Sequence, residues 1–177
     1  DTYNNLGSVL VGRGKLEEAA QAYHCALEIN PNDADTYNNL GSVLVGQGKL
    51  EEAVQAYHQA LEISPNDADV HYNLGRALVG QRQLEEAVQV YHQALGINSD
   101  DADVHYNLGK VLTEQGKLEE AIQSYAKALE INPDLTAVYN NLGPVLQKQD
   151  RLEEAVQVYH HALEINPNDA NTHNNLG

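Results

Sequence analysis

Apolar residues along this chain recur at two alternating helical spacings separated by short polar breaks. Within Ala34–Asp67, Tyr37, Leu40, Gly41 and Leu44 fall at i, i+3, i+4 and i+7, one stripe of a helix. Gly46-Gln47-Gly48 interrupts it, because two glycines this close favour a turn over a continuing helix. A second stripe follows in Leu50, Ala53, Tyr57, Ala60 and Leu61, closed by Ile63. Ser64-Pro65-Asn66-Asp67 ends that helix and offers Asn or Asp as the N-cap of the next. Gly41, Ala53 and Ala60 are small where two helix backbones must come close. The pattern predicts a helical hairpin.

The hairpin repeats. Leu-Gly recurs at Leu6-Gly7, Leu40-Gly41, Leu74-Gly75, Leu108-Gly109, Leu142-Gly143 and Leu176-Gly177, always 34 residues apart. A fixed period of this size is the signature of a solenoid. The chain therefore reads as one all-α array with repeats at 1–33, 34–67, 68–101, 102–135 and 136–169, then a partial repeat at 170–177.

Residues 1–33 and 35–67 differ at only four of 33 positions, the mark of recent duplication or of a consensus-like sequence. The third repeat departs further. Gln81-Arg82 replaces Gln47-Gly48, Gly96 lies within the second helix, and Ser99 stands where other repeats carry proline. Glycine in a helix costs ~1 kcal/mol relative to alanine, so the junction between repeats three and four is expected to be the softest. In the fifth repeat Pro144 falls within the first helix, where it removes a hydrogen bond to the carbonyl of Asn140 and is expected to kink it. Gly143 before it softens the clash.

The spacing Tyr-x2-Leu-Gly-x2-Leu, then Ala-x3-Tyr-x2-Ala, then Pro resembles the tetratricopeptide (TPR) repeat over the whole chain. Tyr3, Tyr37, His71, His105, Tyr139 and His173 stand where that family usually has Trp. The resemblance implies a TPR α-solenoid, a right-handed superhelix of antiparallel helix pairs whose first helices line the concave surface.

Composition narrows the function. The formal net charge of −16, from 10 basic and 26 acidic residues, argues against nucleic acid and anionic membranes as partners. Many of the acids are Glu-Glu pairs (Glu17-Glu18, Glu51-Glu52, Glu85-Glu86, Glu119-Glu120, Glu153-Glu154) that favour the positive end of each second helix. No apolar run approaches the ~18 residues needed to span a bilayer. The single cysteine, Cys25, excludes an internal disulfide, fits a reducing compartment such as the cytoplasm, and is expected to be a surface thiol. The chain begins at Asp1 and has no Met, as expected of a fragment of a longer protein.

Little in the sequence points to catalysis or a cofactor. His24, His58, His92 and His160 hold one place in four repeats, but equivalent places lie two helices apart, and neighbouring helix axes alone are ~8–10 Å apart. A shared zinc needs each nitrogen at ~2 Å, so no metal site is expected. Asp100-Asp101-Ala102-Asp103 lacks the central Gly and terminal Glu of a calcium loop and reads as helix capping. Nucleophile, zinc-protease and phosphate-loop motifs are absent, so the chain does not read as an enzyme.

One signal rises above scaffold. Asp35, Asn39, Ser42 and Gly46 lie on the face of the first helix opposite Tyr37, Leu40 and Leu44. There Asn5, Asn39, Asn73, Asn107, Asn141 and Asn175 form an unbroken row, with Asp1, Asp35, Asp69 and Asp103 one turn earlier. An amide can donate to a carbonyl and accept from an N–H at once, which suits an extended peptide backbone. The rows resemble the Asn and Asp ladders in the TPR arm of O-linked N-acetylglucosamine transferases. On that resemblance Asn39, Asn73, Asn107 and Asn141 hold backbone while Asp35, Asp69 and Asp103 read side chains. Asn4, Asn38, Ser8 and Ser42 make the first part of the groove polar; Tyr72, Tyr106, Arg76 and Lys110 then add aromatic and cationic groups. The carboxylate clamp of chaperone-binding TPR domains wants Lys where Asp69 and Asp103 stand and Arg where Asn73 and Asn107 stand, which disfavours a chaperone tail. The expected function is a scaffold binding an extended peptide or protein segment. Alternatives are the substrate-selecting arm of a glycosyltransferase and a scaffold whose copies stack head to tail.

Overall fold

The computed structural model describes residues 2–176. Its helices run α1 (Thr2–Gly12), α2 (Leu16–Ile29), α3 (Ala34–Gly46), α4 (Leu50–Ile63), α5 (Ala68–Gly80), α6 (Leu84–Ile97), α7 (Ala102–Glu114), α8 (Leu118–Ile131), α9 (Thr136–Lys148), α10 (Leu152–Ile165) and α11 (Ala170–Leu176). Each repeat is thus the expected hairpin, and the architecture is all-α. Asp1 and Gly177, which belong to the predicted rows and stub, lie outside the described residues.

Helix ends follow local chemistry. The carboxylate of Asp33 accepts from the Thr36 N–H and hydroxyl, at 3.3 and 2.8 Å. Asp67 caps α5 through the N–H groups of Asp69 and Val70, and Asp101 caps α7 through those of Asp103 and Val104. Leu135, in the same place before α9, gives no side-chain cap. The first helices α1, α3, α5, α7 and α9 end alike. The Lys49 N–H donates to the Leu44 carbonyl and the Gly48 N–H to that of Val45, both at 2.9 Å, with Gly48 at φ +76°. This is a left-handed C-terminal cap. Arg82 (φ +65°) and Asp150 (φ +58°) adopt the same conformation without being glycine.

Two compact units divide between Ile97 and Asn98, close to where Ser99 replaces the inter-repeat proline. In the first unit each helix of α1–α6 packs on the next. In the second, α7–α11 do the same, and α11 also touches α9.

The core has one rule repeated five times. Tyr23, Tyr57, Tyr91, Tyr125 and Tyr159 on the second helices are each at most 2 % exposed. Each ring packs against the Leu-Gly glycine of its own hairpin. A Cβ on Gly41 would meet Tyr57 Cε1 at 2.6 Å, and one on Gly75 would meet Tyr91 Cε1 at 2.5 Å. Hydrogen is therefore the only substituent the ring admits, and the helices close on each other there. The predicted stripes are buried at Leu40, Gly41 and Leu44 and at Ala53, Tyr57 and Ala60, but Tyr37 is only half-buried. Thr36 and Val43 are buried although they lie off the first stripe, because α3 is packed by α2 on one side and α4 on the other. Helix α9 continues through Pro144. Gly143 serves the Tyr159 ring as well as the proline, since its Cβ would strike the ring carbons.

Four of the residues at one repeated position, His71, His105, Tyr139 and His173, tie the first helix to the loop before it. His71 Nε2 donates to the Pro65 carbonyl at 2.9 Å, and His105 Nε2 to that of Ser99 at 3.0 Å. Tyr139 and His173 do likewise toward Pro133 and Pro167.

Candidate functional site

In the first unit, α1, α3 and α5 present Asn5, Asp35, Asn39, Asp69, Tyr72, Asn73 and Arg76, spaced one repeat apart. Asn5, Asp35, Asp69 and Arg76 are exposed, whereas Asn39, Tyr72 and Asn73 are half-buried. The burial has a cause. Asn39 Nδ2 donates to Asn4 Oδ1 at 3.3 Å, and Asn73 Nδ2 donates to Asn38 Oδ1 at 3.0 Å. Each rung is therefore bonded to the first amide of the Asn-Asn pair in the preceding repeat. The rung amides therefore belong to the packing between repeats as well as to the exposed face. The Oδ1 atoms of Asn39 and Asn73 accept no hydrogen bond among the described residues.

Behind the rungs lies a line of hydroxyls. Ser8 and Ser42 back-bond to the carbonyls of Asn4 and Asn38 and meet the phenols of Tyr23 and Tyr57 at 3.3 and 3.2 Å. Burial pushes the Tyr57 phenol above its usual range, opposed by Ser42 and by the charge of Arg76. Tyr91 is pushed up further, by burial and by Tyr72 beside it, and again opposed by Arg76.

In the second unit, α7 and α9 carry Asp103, Tyr106, Asn107, Lys110 and Asn141. Asp103 and Lys110 are exposed; Tyr106, Asn107 and Asn141 are half-buried. Asn141 Nδ2 donates to the Tyr106 hydroxyl at 3.2 Å and to the Ala137 carbonyl at 2.7 Å. Asn107 Nδ2 donates to the Asp103 carbonyl at 2.8 Å. Thr113 contacts the Tyr125 phenol at 3.3 Å, and burial pushes that phenol up to about 12. Asn140, the counterpart of Asn4 and Asn38, is used differently. It donates to Asp169 at 2.6 Å and accepts from the buried Thr172 hydroxyl at 2.8 Å, which fastens α11 to α9. Those bonds hold the Asp169 carboxyl below its usual range. Asn175 is half-buried.

The sequence reading passed over the acceptors. Asn4 and Asn38 read only as polar lining, yet the doubled Asn-Asn was the signal: one amide of each pair serves its neighbour's rung. Cys25 also differs from expectation. It is half-buried and lines a depression with Tyr3, Leu6 and Leu10. His24, His58, His92 and His160 are exposed, and among the described residues no three His, Cys, Asp or Glu side chains gather as metal ligands. No described helix is long and apolar enough to cross a membrane.

Comparison with known proteins agrees with this anatomy. The structure of YrrB, described as a TPR protein with an unusual peptide-binding site, is 27 % identical, with a TM-score of 0.82 over 97 % of this chain and 89 % of that one. A crystal structure of MamA is 26 % identical, with a TM-score of 0.87 over 93 % and 96 % of the two chains. PilF from Pseudomonas aeruginosa is 28 % identical, with a TM-score of 0.85 over 97 % of this chain and 78 % of its own. No curated protein sequence matches the chain, and the likeness to O-linked N-acetylglucosamine transferases finds no support in these comparisons. The sequence profile of the TPR repeat matches residues 7–48, 41–81, 76–116, 109–150 and 148–177. With the repeat profile matched from residue 7 to the last and a packed tyrosine–glycine hairpin in every full period, the chain belongs to the TPR repeat family.

Proposed function

We propose that the chain is a protein-interaction scaffold whose first-helix faces each hold an extended peptide segment. The observation that carries this reading is the state of the rung amides. Asn39 and Asn73 spend one donor on the preceding repeat, which fixes the amide plane, while Oδ1 and the second N–H stay available. A backbone crossing the helices offers the complementary N–H and C=O at each step. Preorganised donors and acceptors bind with less ordering cost than mobile ones. Asp35 and Asp69, exposed one turn earlier, border the same face and suit basic side chains of the bound segment. The peptide-binding site of the similar YrrB supports the same kind of partner.

The test is peptide display on the wild-type chain, followed by Asn39→Ala and Asn73→Ala together. Two lost hydrogen bonds of about 0.5–1.5 kcal/mol each weaken selected peptides roughly 5- to 150-fold. Glu51→Ala and Glu85→Ala, on the second helices, leave affinity unchanged. A folded double Asn variant that binds as well as wild type would show that the rungs serve packing alone.

A second reading rests on exposed apolar faces. Leu6 is 45 % exposed where its counterpart Leu40 is 4 % exposed, and Leu152 and Val156 of α10 are exposed as well. Leu40 lies on α3, which packs on α2, and Leu50 of α4 reaches Gly80 of α5. Copies of the chain can repeat such a junction head to tail, an arrangement that need not close. Sedimentation that stays monomeric up to millimolar concentration rejects it.

A further inference from the structure

The first-helix face is not uniform. Where α1 and α3 carry Ser8 and Ser42, α5 carries Arg76 and α7 carries Lys110. Seven of the other eight basic residues sit in the turns or at the last residue of α9, and Lys127 lies on α8. These two are therefore the cations in the interior of a first helix.

Neither has found a carboxylate, in a chain with 26 acidic residues against 10 basic ones. Lys15, Lys127 and Arg151 each bond an acid three residues on, whereas Arg76 and Lys110 form no ion pair among the described residues. On α5 the acid, Asp69, is seven residues before Arg76, about 10 Å along the axis; on α7, Asp103 is as far from Lys110, and Glu114, four residues after it, forms no ion pair with it. Both cations lie over aromatic rings instead. The Arg76 guanidinium carbon is 5.6 Å from the Tyr72 ring centroid, and Lys110 Nζ is 5.3 Å from that of Tyr106. Each ring is itself buttressed at 6.3 Å by a core tyrosine, Tyr91 or Tyr125. A ring fixes the cation's position and leaves its edge N–H donors to the outside.

We infer that Arg76 in the first unit and Lys110 in the second each receive an Asp or Glu side chain of the bound segment. This rests on the peptide-binding reading and adds to it the chemistry of one position in each unit. A carboxylate matches the guanidinium edge in shape and charge, and it turns an unpaired cation into a charge-assisted contact. Arg76 then dictates register, since Ser8 and Ser42, along the same line, offer no charge.

A random linear dodecapeptide library panned on the full chain tests this. Wild type is expected to enrich peptides with an acidic residue at a fixed position. R76S/K110S, which restores the serine of the first two repeats, still enriches peptides but without that acid; R76Q/K110Q gives the same result if the serine variant folds poorly. R76E/K110E replaces the acid with Lys or Arg. A wild-type peptide synthesised with an amidated C-terminus binds about tenfold more weakly when its Glu becomes Gln. Wild-type peptides with no acidic preference, or an acidic preference that survives R76S/K110S, overturn the inference and leave peptide binding intact. No enrichment on wild type overturns both.

Discussion

Adding a methyl group at Gly75 and at Gly96 separates helix propensity from packing with one chemical change. Both glycines are helical, in α5 and α6, so alanine gains ~1 kcal/mol of propensity at each. At Gly96 nothing lies within 4 Å of the new Cβ, and the gain is expected in full. At Gly75 the Cβ meets Tyr91 Cε1 at 2.5 Å and Cδ1 and Cζ at 2.9 Å. Carbon atoms in contact prefer ~3.5–4.0 Å, so the ring must retreat by about 1 Å. Tyr91 is 1 % exposed and has nowhere to go. Overpacking of this kind costs ~1–3 kcal/mol, leaving a net loss of up to about 2 kcal/mol after the propensity gain. For a chain of this size ~1 kcal/mol moves Tm by ~2–4 °C. Gly96→Ala should therefore raise Tm by that amount, and Gly75→Ala should lower it by up to about twice as much. Thermal unfolding followed by circular dichroism reads both, and pairing Gly75→Ala with Tyr91→Leu should recover part of the loss as a coupling energy. If both alanines stabilise equally, the ring yields freely and the tyrosine–glycine contact is not what draws the helices together.

Asp150→Gly should stabilise by roughly 1 kcal/mol, because the left-handed turn at φ +58° penalises a side chain that Gly48 lacks; a higher urea midpoint at unchanged slope checks it. Gln47→Met should also stabilise, by ~1–3 kcal/mol, since both polar atoms of the Gln47 amide are buried without a partner; an unchanged midpoint would mean that water reaches them. Asn73→Ala should cost ~0.5–1.5 kcal/mol through the lost bond to Asn38, while Asn5→Ala, exposed and without a side-chain bond among the described residues, should cost almost nothing. Acidification should loosen α11 from α9. The Asp169 carboxyl is held below its ordinary value by Asn140 and Thr172, so its contribution is complete above the unfolded carboxyl's ~4 and lost as pH falls through the lower folded value. Amide exchange in α11 compared with that of Asp169→Asn should show the change.

What could be read from the residues was whatever a single repeat contains. The hairpin, the Asp caps at 33, 67 and 101, and the buried tyrosines follow from spacing inside 34 residues. Thr36 and Val43 escaped because one stripe describes one packed face, whereas α3 has neighbours on two. The half-burial of Asn39 and Asn73 escaped for a related reason. A helical wheel places each residue on its own helix, but the acceptors belong to the preceding repeat, offset by one position from the copy of themselves. Asn140 shows the limit of copying. Its amide turns toward Asp169 and Thr172, whereas Asn4, ahead of the equivalent Asp33 and Thr36, accepts from Asn39 instead.

The offset bond has a consequence for how mutations will map. The amide planes of Asn39, Asn73 and Asn141 are each set by a residue one repeat upstream, so damage and symptom occur in different repeats. Removing Asn38 leaves Asn39 bonded to Asn4 but frees the Asn73 amide to rotate. A scan of the first helices should therefore show binding defects displaced by one repeat from the mutated position, always toward the C-terminus. The ladder thus has a direction, although its rungs look alike.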